Sequence, residues 1–442
     1  MSKLYARLLF CLPSVLLALV WACNEKKPTT TKSSEETAAE EQPATVWMKD
    51  SLFKDQSLSY FLPSSAPASP VCLIFFDPQG EGWEPVSLYK NLAATHGFVL
   101  VGSNFSKNGM DIEEDKAIVN QLIERINQES GLDSARYYAA GFSGGARVAL
   151  HLLLLNTGFR GAVYAGAPGN LAVYQKPVFG FAGNRDMNYA DLLAFDGQLA
   201  NQGSHFLREW EGRHEWPSES VMEEAFNWLH IREIKQPSRF DSTLKSLEKK
   251  WKSEKNILKK AMYMKQSDFL KEAFSGSRSK SKILEDLENS AVWIKETSIR
   301  NEELSKELGL KESYGRAFFE KDTLWWKSEI AAMQKGSRYP EKNMQQRLLG
   351  YFSLAGYSLA HRALQENQWD LLEKILFIYR QSDPENAEAW YLTALLNARE
   401  QKTEVAISNL QQCKKLGFRD QERYEKETAF RFIRDKAAVS FR

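Results

Sequence analysis

The pentapeptide Gly141-Phe142-Ser143-Gly144-Gly145 sets a single hydroxyl between glycines. It ends the run RYYAAG and precedes the helix-forming stretch Ala146–Leu155. A sharp strand-to-helix turn at that place forces the serine into a strained conformation and needs glycine on either side for close packing. The hydroxyl is then presented at a helix N-terminus. The Gly144 N–H points toward negative charge developing on an attacked carbonyl. A serine hydroxyl becomes a useful nucleophile only beside a base, and the base needs an acid to orient it. The chain has six histidines. His151 falls inside the helix after the serine, His96 at the far edge of a helix and His205 at the start of a strand. His230 lies deep in a helix, and His361 is far down the chain. His214 is left, in the irregular turn Glu211-Gly212-Arg213-His214-Glu215-Trp216-Pro217. That turn follows a strand, at the edge where sites in open α/β sheets lie. One strand earlier, Val178–Ala182 ends in Gly183-Asn184-Arg185-Asp186. Asp191 and Asp196 compete with Asp186 as the acid but fall in a helical stretch.

These residues need elements to hold them, and the pattern from residue 57 supplies them. Val71–Phe76 is apolar throughout, as in a strand buried on both faces. A break follows at Asp77-Pro78-Gln79-Gly80-Glu81-Gly82. Then come a helix near 84–95, the strand Phe98–Gly102 and a helix over 114–129 with Ile118, Leu122 and Ile126 on one face. After the serine turn the strands Gly161–Ala167, Val178–Ala182 and His205–Trp210 alternate with helices over 188–200 and 219–232. Such alternation predicts an α/β fold with a doubly wound, mostly parallel sheet.

GFSGG, AGNRD and GRHEWP, in that order, resemble the three catalytic turns of the α/β-hydrolases. The stretch 57–232 is similar to the capless esterases of the dienelactone-hydrolase and polyhydroxybutyrate-depolymerase type. The resemblance implies Ser143 as nucleophile, Asp186 as acid and His214 as base. It implies an ester substrate, small or polymeric, and neither cofactor nor metal. A serine peptidase of the same fold is the neighbouring possibility. Members often carry a His-Gly turn after the third strand, which supplies a second donor to the oxyanion. Here that turn is Asp77-Pro78-Gln79-Gly80. Pro78 has no N–H to give, so Gln79 is expected to join Gly144 in the oxyanion hole.

The flanks suggest where such an enzyme would work. Lys3 and Arg7 precede the apolar run LLFCLPSVLLALVWA, which is short and broken by Pro13. It ends at Val20-Trp21-Ala22-Cys23, which resembles the lipobox of bacterial lipoproteins, although Trp21 replaces the usual small residue. The resemblance implies a signal peptide over 1–22, acylation of Cys23 and a place in the bacterial cell envelope. A plain secretory signal and an uncleaved anchor are the competing readings. Residues 24–45 hold no large apolar side chain and read as a tether, so 23–45 precede a hydrolase domain over 46–235.

Beyond Asp241 the strand signals stop. Residues 245–282 carry 12 Lys or Arg against 4 Asp or Glu. Leu244, Leu247, Trp251, Leu258, Met262 and Phe269 recur near helical spacing. The charges therefore form one face of an amphipathic helix, either solvated or set against an anionic lipid surface or an acidic polymer. We assign 236–345 to a helical connecting region. In 346–442, Asp383–Trp390 followed by Ala394, Ala406 and Leu410 resembles a tetratricopeptide unit, with a degenerate unit before it. That region is a candidate surface for a protein partner, and a non-catalytic scaffold lipoprotein is the alternative to an enzyme. Lys plus Arg number 58 and Asp plus Glu 57, so no global charge argues for nucleic acid. The four cysteines show neither metal-ligand spacing nor a disulfide framework.

Overall fold

A computed structural model describes residues 47–436 apart from 133, 156, 171–173, 201–202 and 340, together with 439–441. The expected signal peptide, Cys23 and the tether lie outside the described residues. The described chain divides into two compact units, one ending at Glu303 and the other beginning at Leu304.

The first unit is built on one eight-stranded sheet. Its strands are β1 (Leu52–Lys54), β2 (Leu58–Phe61), β3 (Val71–Phe76), β4 (Val99–Ser103), β5 (Arg136–Phe142), β6 (Ala162–Ala165), β7 (Val178–Gly183) and β8 (His205–Trp210). They lie in the order β1-β2-β4-β3-β5-β6-β7-β8. β2 runs antiparallel to both β1 and β4, and all other pairs are parallel. The doubly wound, mostly parallel sheet expected from the sequence is therefore present. β1 was not anticipated: three residues at a half-exposed edge carry no usable alternation.

This topology decides where loops meet. Parallel strands end at the same edge, so the segments after β5, β7 and β8 share one rim of the sheet. β3 sits between β4 and β5, with Phe76 paired to Gly141. The winding reverses there, and the crevice at such a switch point is where open α/β sheets bind ligands.

Helices cover both faces. On one face α1 (Trp83–His96) and α5 (Glu219–Glu233) pack on Leu73, Phe75, Tyr138, Phe179 and Phe206. On the other, α3 (Gly144–Leu154) packs against β5, β6 and β3 and is flanked by α2 (Ile112–Glu129). α4 (Tyr189–Leu199) packs on β7 and β8. α2 begins with a capping box in which Asp111 accepts from the Glu113 and Glu114 N–H groups at 2.9 Å each.

The core does not stop at residue 235. α6 (Pro237–Ser253) and α7 (Ile257–Ser275) belong to the sheet unit, through Leu247, Met262, Tyr263, Phe269 and Leu270. The Phe269 ring lies 5.5 Å from that of Trp228 and 5.8 Å from that of Phe206. The apolar stripe seen in the sequence is thus part of the sheet's cover. Many of its lysines are paired: Lys250 with Glu224, Lys252 with Glu248, Lys259 with Glu254, Lys265 with Glu288 and Lys271 with Asp268. These pairs fit the solvated-face reading.

The second unit is helical. α8 (Lys282–Glu288) and the first part of the long α9 (Ala291–Glu320) close the first unit; after α9 come α10 (Thr323–Gln334), α11 (Lys342–Gln365), α12 (Trp369–Ser382), α13 (Ala387–Arg399) and α14 (Thr403–Lys415). α11 pairs with α12, and α13 with α14. Small residues set the approach: a side chain at Gly356 would come within 2.8 Å of Tyr379 Cβ. Ala389, Ala394 and Ala406 are fully buried. Among the described residues no helix is long and apolar enough to cross a membrane.

Candidate active site

Ser143 is the pivot between β5 and α3. Its φ of 53° and ψ of −118° lie where side-chain-bearing residues are strained, at a cost of about 1–3 kcal/mol. The surrounding backbone leaves no alternative. A side chain at Gly141 would meet the Gly145 carbonyl oxygen at 2.1 Å, and one at Gly145 would meet the Phe76 carbonyl oxygen at 1.9 Å. Both glycines are thus fixed by contact between β3, β5 and α3. The Ser143 N–H donates to the Ala165 carbonyl at 2.8 Å and locks the turn to β6.

The three residues singled out in the sequence come together. His214 Nε2 lies 2.9 Å from Ser143 Oγ. His214 Nδ1 lies 3.0 Å from each carboxylate oxygen of Asp186. Asp186 is 1% exposed, whereas the His214 side chain keeps 22% of its surface open. The acid is therefore sheltered from water while the base and hydroxyl can meet a substrate. With Nδ1 donating to Asp186, Nε2 is left to accept from the serine.

Local chemistry explains the precision. The Asp186 carboxylate also accepts from the Asn188 N–H at 2.8 Å, an Asx turn that fixes its rotamer. Asn188 in turn donates its side-chain amide to the Gly166 carbonyl at 2.7 Å. The turns after β7 and β8 are stitched by Asn184 N–H to the Trp210 carbonyl at 2.8 Å and Arg185 N–H to the Gly212 carbonyl at 2.9 Å. A side chain at Gly183 would meet the Gly212 carbonyl oxygen at 2.7 Å. The Phe142 ring packs on the imidazole with centroids 4.7 Å apart. Phe142, Asn188 and Gly166 were not singled out from the sequence. The Asx turn was visible there as Asp186-x-Asn188, and the ring contact was not.

The other histidines stand elsewhere. His205 faces Asp196 at 3.3 Å at the opposite end of β8. His96 and His230 are buried near each other with Arg239, and His361 lies in the second unit beside Glu388.

The turn after β3 departs from expectation. Gln79 N–H donates to Asp77 Oδ1 at 2.9 Å, so the expected second oxyanion donor is already engaged. Asp77 is 4% exposed, and its Oδ2 accepts from Trp216 Nε1 at 3.1 Å. Burial raises its carboxyl above the usual carboxylate range. Trp216 thereby ties the turn after β8 to the turn after β3. Gly144 is the first residue of α3, where N–H groups have no intrahelical acceptor.

No protein-family profile matches the chain, and no curated protein matches it significantly. Among solved structures it is similar to an esterase from Pyrococcus furiosus, with 14% identity, a TM-score of 0.30, 36% of this chain covered and 79% of that one. It is also similar to an alpha-beta serine hydrolase homologue from Coxiella burnetii, with 14% identity, a TM-score of 0.33, 41% of this chain covered and 98% of that one. The fold class stands on the molecule's own features: the strand order, the strained serine between β5 and α3, and the chain order serine, aspartate, histidine. These define a hydrolase-like α/β fold in the first unit.

Proposed function

We propose that the protein is a serine hydrolase that cleaves carboxylic esters through an acyl-enzyme. Ser143 Oγ attacks the ester carbonyl while His214 Nε2 takes its proton. Asp186 holds the imidazole and stabilises the imidazolium. Collapse of the tetrahedral intermediate expels the alcohol, which receives that proton from His214. Water, deprotonated by the same imidazole, then attacks the acyl group and frees Ser143 with release of the carboxylic acid. The Gly144 N–H faces the oxyanion in both halves. The observation that carries this reading is the continuous hydrogen-bond chain from buried Asp186 through His214 to Ser143. Ester is preferred to amide because the three turns resemble those of esterases.

The test is turnover of a short-chain aryl ester. Ser143→Ala is expected to lower kcat at least about 10³-fold, with circular dichroism and Tm unchanged. Equal turnover in the two proteins would remove Ser143 from the chemistry. No turnover by the folded wild-type protein would favour the second reading, a non-catalytic binding lipoprotein, for which the engagement of Gln79 N–H by Asp77 is the supporting observation. The cell-envelope location rests on the sequence around Cys23. The paired helices from α11 to α14 support a tetratricopeptide-like docking surface for a protein partner.

A further inference from the structure

With Gln79 N–H given to Asp77, the proposed site has one evident backbone donor for the oxyanion, at Gly144. Acyl transfer of this kind ordinarily uses at least two donors aimed at the same oxygen. The residue after the nucleophile is a glycine here, and the space its side chain would fill is taken by another group. A Cβ built on Gly144 would lie 1.5 Å from Asn108 Oδ1, 2.6 Å from its Cγ and 3.2 Å from its Nδ2. The Asn108 carboxamide therefore lies against Gly144, beside the N–H expected to face the oxyanion.

Asn108 is also fastened to the other side of the oxyanion region. Its backbone N–H donates to the Pro78 carbonyl at 2.9 Å, in the turn after β3. The segment that carries it is held at both ends. Ser106 is buried, donates its N–H to Ser103 Oγ at 3.0 Å and its hydroxyl to Asp115 at 2.6 Å. Asp111, three residues beyond Asn108, caps α2. Asn108 as a residue is exposed.

We infer that Asn108 supplies the second oxyanion hydrogen bond through its side-chain amide, in place of the backbone N–H that Asp77 has taken from Gln79. The inference rests on the hydrolase reading of Ser143. An amide offers two N–H donors at one end and an acceptor at the other, and a half-turn about χ2 exchanges the ends within the same space. An oxyanion is an acceptor only, so it selects the nitrogen end. Gly144 is required by this arrangement, because any side chain there would expel the carboxamide.

The experiment compares wild type, Ser143→Ala, Asn108→Ala and Asn108→Asp on a short-chain aryl ester, with kcat and KM measured separately. Loss of one oxyanion donor costs about 10²–10³ in kcat. Asn108→Ala is expected to lose kcat by about that factor, with KM changed by no more than a few-fold. Asn108→Asp is expected to be worse, since a carboxylate opposes the oxyanion. Asn108 is exposed, so both variants should keep the wild-type Tm. Wild-type kcat in Asn108→Ala, beside a dead Ser143→Ala, would overturn the inference and leave the hydrolase reading standing. A raised KM at constant kcat would also overturn it, making Asn108 a wall of the substrate site. Turnover that survives Ser143→Ala would overturn both.

Discussion

In the unit that ends at Glu303, buried Asp77 and Asp186 lie in turns on one rim of the sheet, and Asp186 is linked through His214 to the Ser143 hydroxyl. In the unit that begins at Leu304, buried and half-buried polar groups pair with one another. Glu307, fully buried, is held by Arg347 at 2.7 Å and Lys311 at 3.4 Å. Glu388 takes a bidentate grip from Arg423 at 2.7 and 2.8 Å, with His361 beside it at 3.3 Å. Tyr314 meets Tyr339 at 2.7 Å and donates to Glu329, which also takes Arg338. Breaking a fully buried pair such as Glu307–Arg347 costs several kcal/mol, so that pair holds its helices in register. Asp186 is buried too, but its partner His214 passes the interaction on to the hydroxyl of half-buried Ser143. A closed pair makes structure, and an open chain can make chemistry.

Cutting the chain inside the first unit should do the most damage. Truncation after 236 removes Leu247, Met262, Tyr263, Phe269 and Leu270 from the core. Each large buried apolar side chain is worth about 1.5–3 kcal/mol, and a whole domain is stable by only about 5–15 kcal/mol. The 46–236 fragment is therefore expected to be insoluble or molten. A fragment ending at 303 is expected to fold and to retain ester turnover. A folded, active 46–236 fragment, detected by a cooperative melt, would show that α6 and α7 are dispensable.

A smaller effect concerns pH. Burial, with Arg239 and His230 close by, pushes His96 down to about 3 from its ordinary value of 6.5. The unfolded chain takes up a proton near 6.5 and the folded one only near 3. Stability is therefore full above 6.5 and falls as pH drops through that window, by at most about 1.4 kcal/mol per unit. His96→Gln is expected to have a Tm that declines less steeply between pH 7 and pH 4 than wild type. Parallel declines would assign acid sensitivity to other groups.

How much of this was legible beforehand follows the same division. Ser143, Asp186 and His214 could be read because each ends a strand and sits in a turn rich in Gly or Pro. The parallel sheet could be read from strand–helix alternation. The membership of α6 and α7 could not. Periodicity tells that a helix buries a face but not what covers it, and the lysines drew attention to the wrong side. The engagement of Gln79 was hidden as well, because it depends on the rotamer of Asp77 and on Trp216, far away in sequence. Asn108 was invisible for the same reason: it reaches the site through space, across a glycine.

In the proposed mechanism Ser143 is an activated nucleophile. The most direct measurement is labelling of the intact protein by a fluorophosphonate, with the modified peptide identified by mass spectrometry. One adduct is expected, on the peptide containing Ser143, and none on Ser143→Ala at the same concentration. A folded wild-type protein that takes no label, or takes it on another residue, would contradict it.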